Sequence, residues 1–321
     1  MKKLVSTLVG ATALFAAHAS ASAEELSIAT LNTEFLITDK IHISRGFDFR
    51  LSEAEKAEWP DTRRAQVFDE KANAIAAVLA NVDADILVLT EIGDGPDFDK
   101  IKSALSNAGL NYPHAEICDC NDPTGQNVAI FSRLPLSSVE AKIEGREHYL
   151  AEDDDPGTEG DTGLSKGLKA TVSFQGQEIV IYGVHLKSER GFSEADGQRI
   201  AQASIVRRNY LKDLDAGRHV IVVGDLNDRR GDPTLKRIRG LDDIQPDLIQ
   251  TGLYNFFEES ERGERWTYIY QGRRQQIDHI LVSDSLKPML KRTKGIKSRV
   301  ERITDSEVTD HSALIVTLDF R

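Results

Sequence analysis

Short apolar runs that each stop on a polar, chemically capable residue recur along this chain, and they limit the folds open to it. IATL stops on Asn32, DILVLT on Glu91, IYGV on His185, and VIVVG on Asp225 with Asn227 two residues further. Late in the chain the order reverses: Asp278 precedes HILVS, and Asp310 and His311 precede SALIV. Compact apolar runs of this kind are what strands buried on both faces look like. One polar residue at a strand end says little, because caps and turns use the same residue types. A series of them, each beside a buried strand, is a different matter, since strands of one sheet bring their ends together at one site.

Helical patterns separate the runs. Thr62 to about Ala80 carries Phe68, Ala72, Ile75 and Leu79 on one face, Phe98 to Ala108 reads as a short helix, and Ile200, Ala203, Val206, Tyr210 and Leu214 form a second stripe. Strands are expected at Leu26–Leu31, Asp85–Thr90, Val128–Phe131, Ile179–Val184, His219–Val223, Ile277–Val282 and Ala313–Leu318. Residues 39–61, charged and carrying Gly46 and Pro60, read as an exposed insertion. No repeat and no low-complexity linker interrupts the alternation, so the elements belong to one α/β domain. With 40% apolar residues over 321 positions, a large core can be buried and full-length disorder is excluded.

The N-terminus reads as a processing segment. Lys2 and Lys3 precede a small apolar stretch, and Ala21-Ser22-Ala23 supplies a cleavage signature, so residues 1–23 are expected to be a secretory signal peptide. Its removal leaves 298 residues and moves the formal charge from −12 to −14. No later stretch is long and apolar enough to span a bilayer, so an exported protein without stable membrane insertion is expected, periplasmic or secreted. Export bears on Cys118 and Cys120, a lone C-x-C pair: a local disulfide and two free thiols are both open, and no second pair completes a zinc site. The acidic stretch 152–162 departs from calcium-loop ligand spacing and reads as a solvated loop.

Glu91, Asp225, Asp278 and Asp310 together would set four carboxylates close to one another, which repel unless a cation or a proton intervenes. Oxygen donors of this kind suit magnesium, with manganese or calcium as alternatives, and Asn32 and Asn227 add neutral donors. His185 and His311 are able to move protons near neutral pH. A cation, carboxamides and two histidines suit attack of water on a phosphate ester.

The segments IATLNTE, LTEIGD, NVAIFSRLPL, YGVHLKS, VVGDLND, QIDHILVS and TDHSALIV, in this order from Leu26 to Leu318, resemble the motif set of the endonuclease/exonuclease/phosphatase superfamily, the metal-dependent phosphoesterases that include DNase I-like nucleases. The resemblance implies a four-layer α/β sandwich, two central mostly antiparallel sheets flanked by helices, with residues 24–321 as the catalytic domain. It also implies roles. Glu91 resembles the principal metal-binding glutamate, with Asn32 near metal and phosphate. Asp310 resembles a ligand of the metal or phosphate site. His185 resembles the phosphate-contacting histidine, a general-acid candidate, and His311 the catalytic one, oriented by Asp278; members of the family exchange acid and base roles between the two, and the sequence does not divide them. Asp225 resembles the aspartate that handles nucleophile or metal, and Asn227 the asparagine that holds phosphate. Asn127 is a weaker match facing the phosphate. His279 and Arg133 read as structural, and His42, His114, His148 and His219 match no motif.

The substrate is less legible. Between Tyr254 and Gln276 lie Trp266, Tyr268, Tyr270, Arg273 and Arg274, just before IDHILVS. Aromatic rings and arginines there suit bases and phosphates, and a strand hairpin with solvated arginines has the same composition. Nucleic acid is therefore the expected substrate. The net acidity and the 7% aromatic content weigh against a broad basic or stacking surface. Lipid headgroups or small phosphate esters are the alternative, and a non-catalytic binding protein the remote one. No partner protein is inferred.

Overall fold

A strand that is apolar on both faces needs a covering layer on each, and the alternation of side chains along each strand decides which layer it meets. The computed structural model describes residues 24–45, 51–150, 159–189, 192–241, 253–255, 265–289 and 298–321. The expected signal peptide lies outside them. In chain order the strands are β1 (Glu25–Leu36), β2 (Ile86–Ile92), β3 (His114–Ile117), β4 (Asn127–Ser132), β5 (Ser137–Glu140), β6 (Arg146–Leu150), β7 (Glu159–Gly163) and β8 (Gly167–Phe174). They continue with β9 (Gln177–His185), β10 (His219–Asp225), β11 (Leu253–Asn255), β12 (Tyr268–Tyr270), β13 (Arg273–Gln275), β14 (Asp278–Ser283), β15 (Ser298–Glu301) and β16 (Ala313–Asp319). The helices are α1 (Glu53–Glu58), α2 (Asp61–Val82), α3 (Gly95–Asn107), α4 (Phe192–Asp215) and α5 (Pro233–Arg239).

Two six-stranded sheets form, ordered β15-β16-β1-β2-β4-β3 and β11-β14-β10-β9-β8-β5. Neighbours are antiparallel except for one parallel pair in each sheet, β1 with β2 and β9 with β10. Ile28, Ile86, Val88, Ile181, Ile221, Val223 and Ile280 fill the space between the sheets. Their alternate neighbours Ala29, Leu87 and Leu89 turn outward onto Phe68, Ile75 and Leu79 of α2 and Phe98 and Ile101 of α3. On the other side, Val220, Val222 and Tyr182 meet Ala203, Val206 and Tyr210 of α4 and Leu235 and Ile238 of α5. This is the four-layer sandwich, with mostly antiparallel sheets, that the motif set implied.

Two local expectations change. Residues 39–61 are not simply an exposed insertion: Ile41, His42 and Trp59 are buried, and Ile41 and Trp59 join the α2 core. The charged neighbours masked two apolar side chains whose burial is favourable. In the acidic stretch, residues 152–158 lie outside the described residues, but 159–162 belong to β7, paired with β6. That ribbon is tied to α4 by hydrogen bonds from the Tyr149 hydroxyl to Glu194 and from Gln198 to that hydroxyl. Cys118 and Cys120 are joined as a disulfide.

Candidate active site

Parallel strands end on the same side, so the two parallel pairs deliver their C-terminal residues to one rim. Asn32 stands near the end of β1, Glu91 in β2, and His185 and Asp225 are the last residues of β9 and β10. The antiparallel neighbours contribute where they begin. Asp278 opens β14 directly across from Asp225, and His311 sits just before β16.

In the second sheet the ladder stays in register to its last pairs, Asp225 with His185 and Asp225 with Asp278. Gly224 makes this close approach feasible: its φ is +138°, and a Cβ there would stand 2.0 Å from the Val184 carbonyl oxygen. The first sheet ends differently. Its β1–β2 register jumps from Asn32–Thr90 to Leu36–Ile92, leaving Thr33, Glu34 and Phe35 opposite Glu91. Glu34, Phe35 and Glu91 have φ of 51°, 52° and 62°, a left-handed backbone that costs roughly 1–3 kcal/mol per residue and must be held by its surroundings.

The side chains of the two sheets interlock. Asn32 Nδ2 donates to Glu91 Oε1 at 3.1 Å and to Asp225 Oδ2 at 2.9 Å, bridging the sheets. Asn32 Oδ1 accepts the Glu34 N–H, and Glu91 Oε2 accepts the Phe35 N–H at 3.0 Å. His185 Nε2 stands 3.7 Å from Glu91 Oε1 and 3.9 Å from Asp225 Oδ2. His311 Nδ1 pairs with Asp278 Oδ2 at 2.7 Å, and its Nε2 lies 4.0 Å from Asp225 Oδ2 and 3.7 Å from Asp310 Oδ1. The Asn227 N–H donates to Asp225 Oδ1, and its side-chain amide donates to the Leu186 carbonyl. Asn32, Glu91, His185, Asp225, Asn227, Asp278, Asp310 and His311 are thus one connected group. Asp278 Oδ1 and His185 Nδ1, both buried, have no hydrogen-bond partner among the described residues.

Burial, reinforced by Asp278, pushes the Asp225 carboxyl up to about 7. Burial would lower the His311 imidazole, but the charge and hydrogen bond of Asp278, with Asp310 and Asp225, outweigh it and raise His311 to about 10. Burial, then Lys166 and His311, hold His185 well below its ordinary value. Near neutral pH one ring is therefore cationic and the other neutral. Glu91, Asp310 and Asp225 carry oxygen donors of the kind a hard divalent cation takes, and a cation at Asp225 would keep it ionised; Asn32 turns its Nδ2, not its oxygen, toward Glu91 and Asp225. Asp225, Asp278 and His311 also bring one ligand-type atom each to within 4.8 Å of one another.

The remaining candidates sit differently. Asn127 gives its amide hydrogens to the carbonyls of Ile92 and Gly125, tying the end of β2 to a loop. Arg274 lays its guanidinium over Trp266, 5.0 Å from the ring centre, and Arg273 is exposed on the same hairpin. The hairpin reaches the site through Tyr268, whose ring centre is 4.6 Å from that of His311. His279 is structural as expected, its Nε2 against the Asp228 carbonyl. So is Arg133, which pairs with Asp83 and Asp85.

Lys166, Lys71 and Glu34 escaped the sequence reading, and Tyr268 was named only as one of several hairpin aromatics. Lys166 is buried and donates to Gln126 Oε1 at 3.0 Å, with Asp122, Glu91 and Asp225 as its charged neighbours. Lys71 is buried beneath Glu34 and donates to both its carbonyl and its carboxylate. Tyr268 packs on His311. Lys71 had a signal, a lysine placed between Phe68, Ala72 and Ile75 on the apolar face of α2. Lys166, Glu34 and the specific choice of Tyr268 had none.

Comparison with known proteins agrees with the architecture. Truncated Caenorhabditis elegans TDP2 superposes with a TM-score of 0.56 at 19% identity, covering 92% of this chain and 97% of that one. An endonuclease/exonuclease/phosphatase from Beutenbergia cavernae DSM 12333 gives 0.55 at 16% identity, covering 92% and 72%. Beta toxin 275-280 from Staphylococcus aureus gives 0.56 at 16% identity, covering 90% and 98%. None of the curated proteins matches the sequence. The profile of the Endonuclease/Exonuclease/phosphatase family matches residues 59–306, most of the chain, and the chain belongs to that family of phosphoester hydrolases.

Proposed function

We propose that this protein is a divalent-metal-dependent phosphodiesterase whose substrate is nucleic acid. The observation that carries the reading is the His311–Asp278 pair facing Asp225, with Asn32 joining Asp225 to Glu91 across the two sheets. Glu91 and Asp310 would hold the cation, magnesium first and manganese or calcium as substitutes; Asn32, expected among the ligands, instead orients Glu91 through its Nδ2. When bound, the cation stabilises negative charge on the phosphoryl oxygens.

The chain's own groups divide the proton work. His185, neutral, accepts a proton from the attacking water as its oxygen bonds to phosphorus. Asp225, facing both rings, orients that water. His311, held cationic by Asp278, gives a proton to the leaving oxygen as its bond to phosphorus breaks. Asn227 holds a phosphoryl oxygen. Solvent then restores both rings.

Tyr268 and Tyr270 favour a substrate with planar groups. Their rings stack 6.3 Å apart at 17°, running outward from His311, and Arg273 pairs across from Tyr270. One observation favours a second substrate: Ile269 and Tyr270 are 45% and 50% exposed on the same hairpin, a surface that also suits a lipid headgroup reached at a membrane face. No helix among the described residues is long and apolar enough to cross a membrane. The same reading takes residues 1–23 as a signal peptide and places the catalytic domain, 24–321, in the periplasm or outside the cell.

Incubating the mature protein with plasmid DNA, RNA and phosphatidylcholine or sphingomyelin vesicles tests this directly. Mg²⁺, Mn²⁺ or Ca²⁺ is supplied, with EDTA and His311→Ala as controls. Metal-dependent cleavage of nucleic acid, lost in both controls, is expected. Cleavage of lipid alone selects the second substrate, and silence on every substrate, bis-nitrophenyl phosphate included, defeats the hydrolase assignment for this chain.

A further inference from the structure

The end of β1 contains one peptide unit gripped from both sides. Its carbonyl, that of Glu34, accepts a hydrogen bond from Lys71 Nζ at 2.7 Å. Its N–H, that of Phe35, donates to Glu91 Oε2 at 3.0 Å. Lys71 rises from the middle of α2 with a side chain only 3% exposed, and its ammonium also reaches Glu34 Oε2 at 3.2 Å. Glu34 and Phe35 both hold a left-handed backbone, so the orientation of this peptide is imposed from outside rather than by local preference.

We propose that Lys71 is a positioning residue for Glu91 and acts through the Glu34–Phe35 peptide. The inference rests on the reading above that Glu91 binds a divalent cation. A charged donor on the carbonyl fixes the plane of the peptide and polarises it, which strengthens the N–H at its other end as a donor. That N–H engages Glu91 Oε2 and leaves Oε1 toward Asn32 and His185. The adjoining Glu34 N–H does the same for Asn32, holding its Oδ1 at 2.9 Å. Glu91, assigned to the cation, and Asn32, whose Nδ2 donates to Glu91 Oε1, thus take their orientation from one bulge, and Lys71 is the buried charge beneath it. An ammonium stripped of most of its water carries a desolvation cost, which the paired carboxylate and carbonyl offset.

The test is Mn²⁺ affinity, measured by titration calorimetry on the full chain without substrate, for the natural protein, Lys71→Met and Lys71→Arg. Thermal unfolding in EDTA reports whether each variant folds cooperatively. The natural protein is expected to bind. Lys71→Met keeps the apolar stem but loses the donor, and its affinity is expected to fall about 10- to 100-fold, the usual effect of losing a group that orients a metal ligand. Raising Mn²⁺ should then recover its kcat, which general structural damage would not allow. Lys71→Arg, which keeps a cationic donor, is expected to stay within about threefold of the natural protein on this reasoning. A cooperatively folded Lys71→Met with unchanged affinity overturns the proposal, as does a folded Lys71→Arg as weak as the Met variant.

If the Met variant does not fold, the natural protein still decides. The Phe35 amide resonance is expected to move on titration with Mg²⁺, and a stationary resonance overturns the proposal. A natural protein that binds neither ion defeats the metal reading itself, a failure separate from that of Lys71.

Discussion

The two sheets meet at one rim by opposite means. The second sheet carries His185, Asp225 and Asp278 to the site by keeping strict register to its last residue pair. The first sheet breaks its register between Asn32 and Leu36 and bends three residues into left-handed backbone to place Asn32 and Glu91. A regular ladder sets distances between neighbouring strand ends, which suits an aspartate facing two histidines. A bulge re-aims side chains independently of the ladder, which suits oxygen donors that must converge on a point. On the proposed assignment, proton chemistry resides mainly in ladder geometry and cation binding in the bulge. His311 joins the two halves, since it precedes a strand of the first sheet and pairs with Asp278 of the second.

The sharpest way to break this division is His311→Ala. It should lower kcat about 10³- to 10⁴-fold while Mn²⁺ affinity changes by no more than a few-fold; a large loss of metal binding would erase the distinction. Next is Gly224→Ala, which attacks the ladder itself. The added Cβ meets the Val184 carbonyl at 2.0 Å on a backbone at φ +138°, and at least ~3 kcal/mol should be lost. Urea denaturation reads it, and a midpoint close to that of the natural protein would show that the rim yields easily. On the bulge side, Glu91→Gln should weaken Mn²⁺ binding roughly 100-fold with little change in urea midpoint, and calorimetry measures it.

The pH dependence of stability in EDTA separates the carboxylate from the imidazole. The folded-state pKa of His311 is raised from 6.5 to about 10. Its contribution is therefore fully present below about 6.5 and lost as pH rises through about 10. Asp225 is raised from 3.8 to about 7, so its contribution is present below 3.8 and lost as pH rises through about 7. Both act in the same direction. His311→Ala should remove the imidazole's window and leave the Asp225 decline, displaced upward because the cationic ring that lowers Asp225 is gone; if the whole profile persists, His311 is not the group that titrates. The smallest effect belongs to the hairpin. Arg273→Ala with Arg274→Ala should raise KM for DNA a few-fold and reduce its salt dependence, by the release of counterions from about two phosphate contacts. An unchanged salt slope would leave these arginines without phosphate contacts.

The layers are legible in the sequence, and so are most of the side chains that the structure joins into one connected group. Short unalternating runs such as DILVLT and VIVVG, rich in β-branched residues, suit a strand covered on both faces, and the residue types at their ends name the chemistry within reach. Ile41 and Trp59 show the limit of that reasoning even in the core. Their charged neighbours carried the reading toward solvent, while burial acts on single side chains and not on the mean of a segment.

Contacts between residues distant in sequence come from the packing of the two sheets and helices. The left-handed backbone at Glu34, Phe35 and Glu91 follows from no propensity of those residue types; Asn32, Glu91 and Lys71 of α2 hold it through hydrogen bonds to Glu34 and Phe35. Lys71 reaches Glu34 across 37 positions, and Asn32 reaches Asp225 across 193. Hydrogen-bond partners, burial and the charge states that follow from them are set by which strand ends the packed sheets bring to the same rim. A pattern read along one dimension carries the identity of those groups and not their distances.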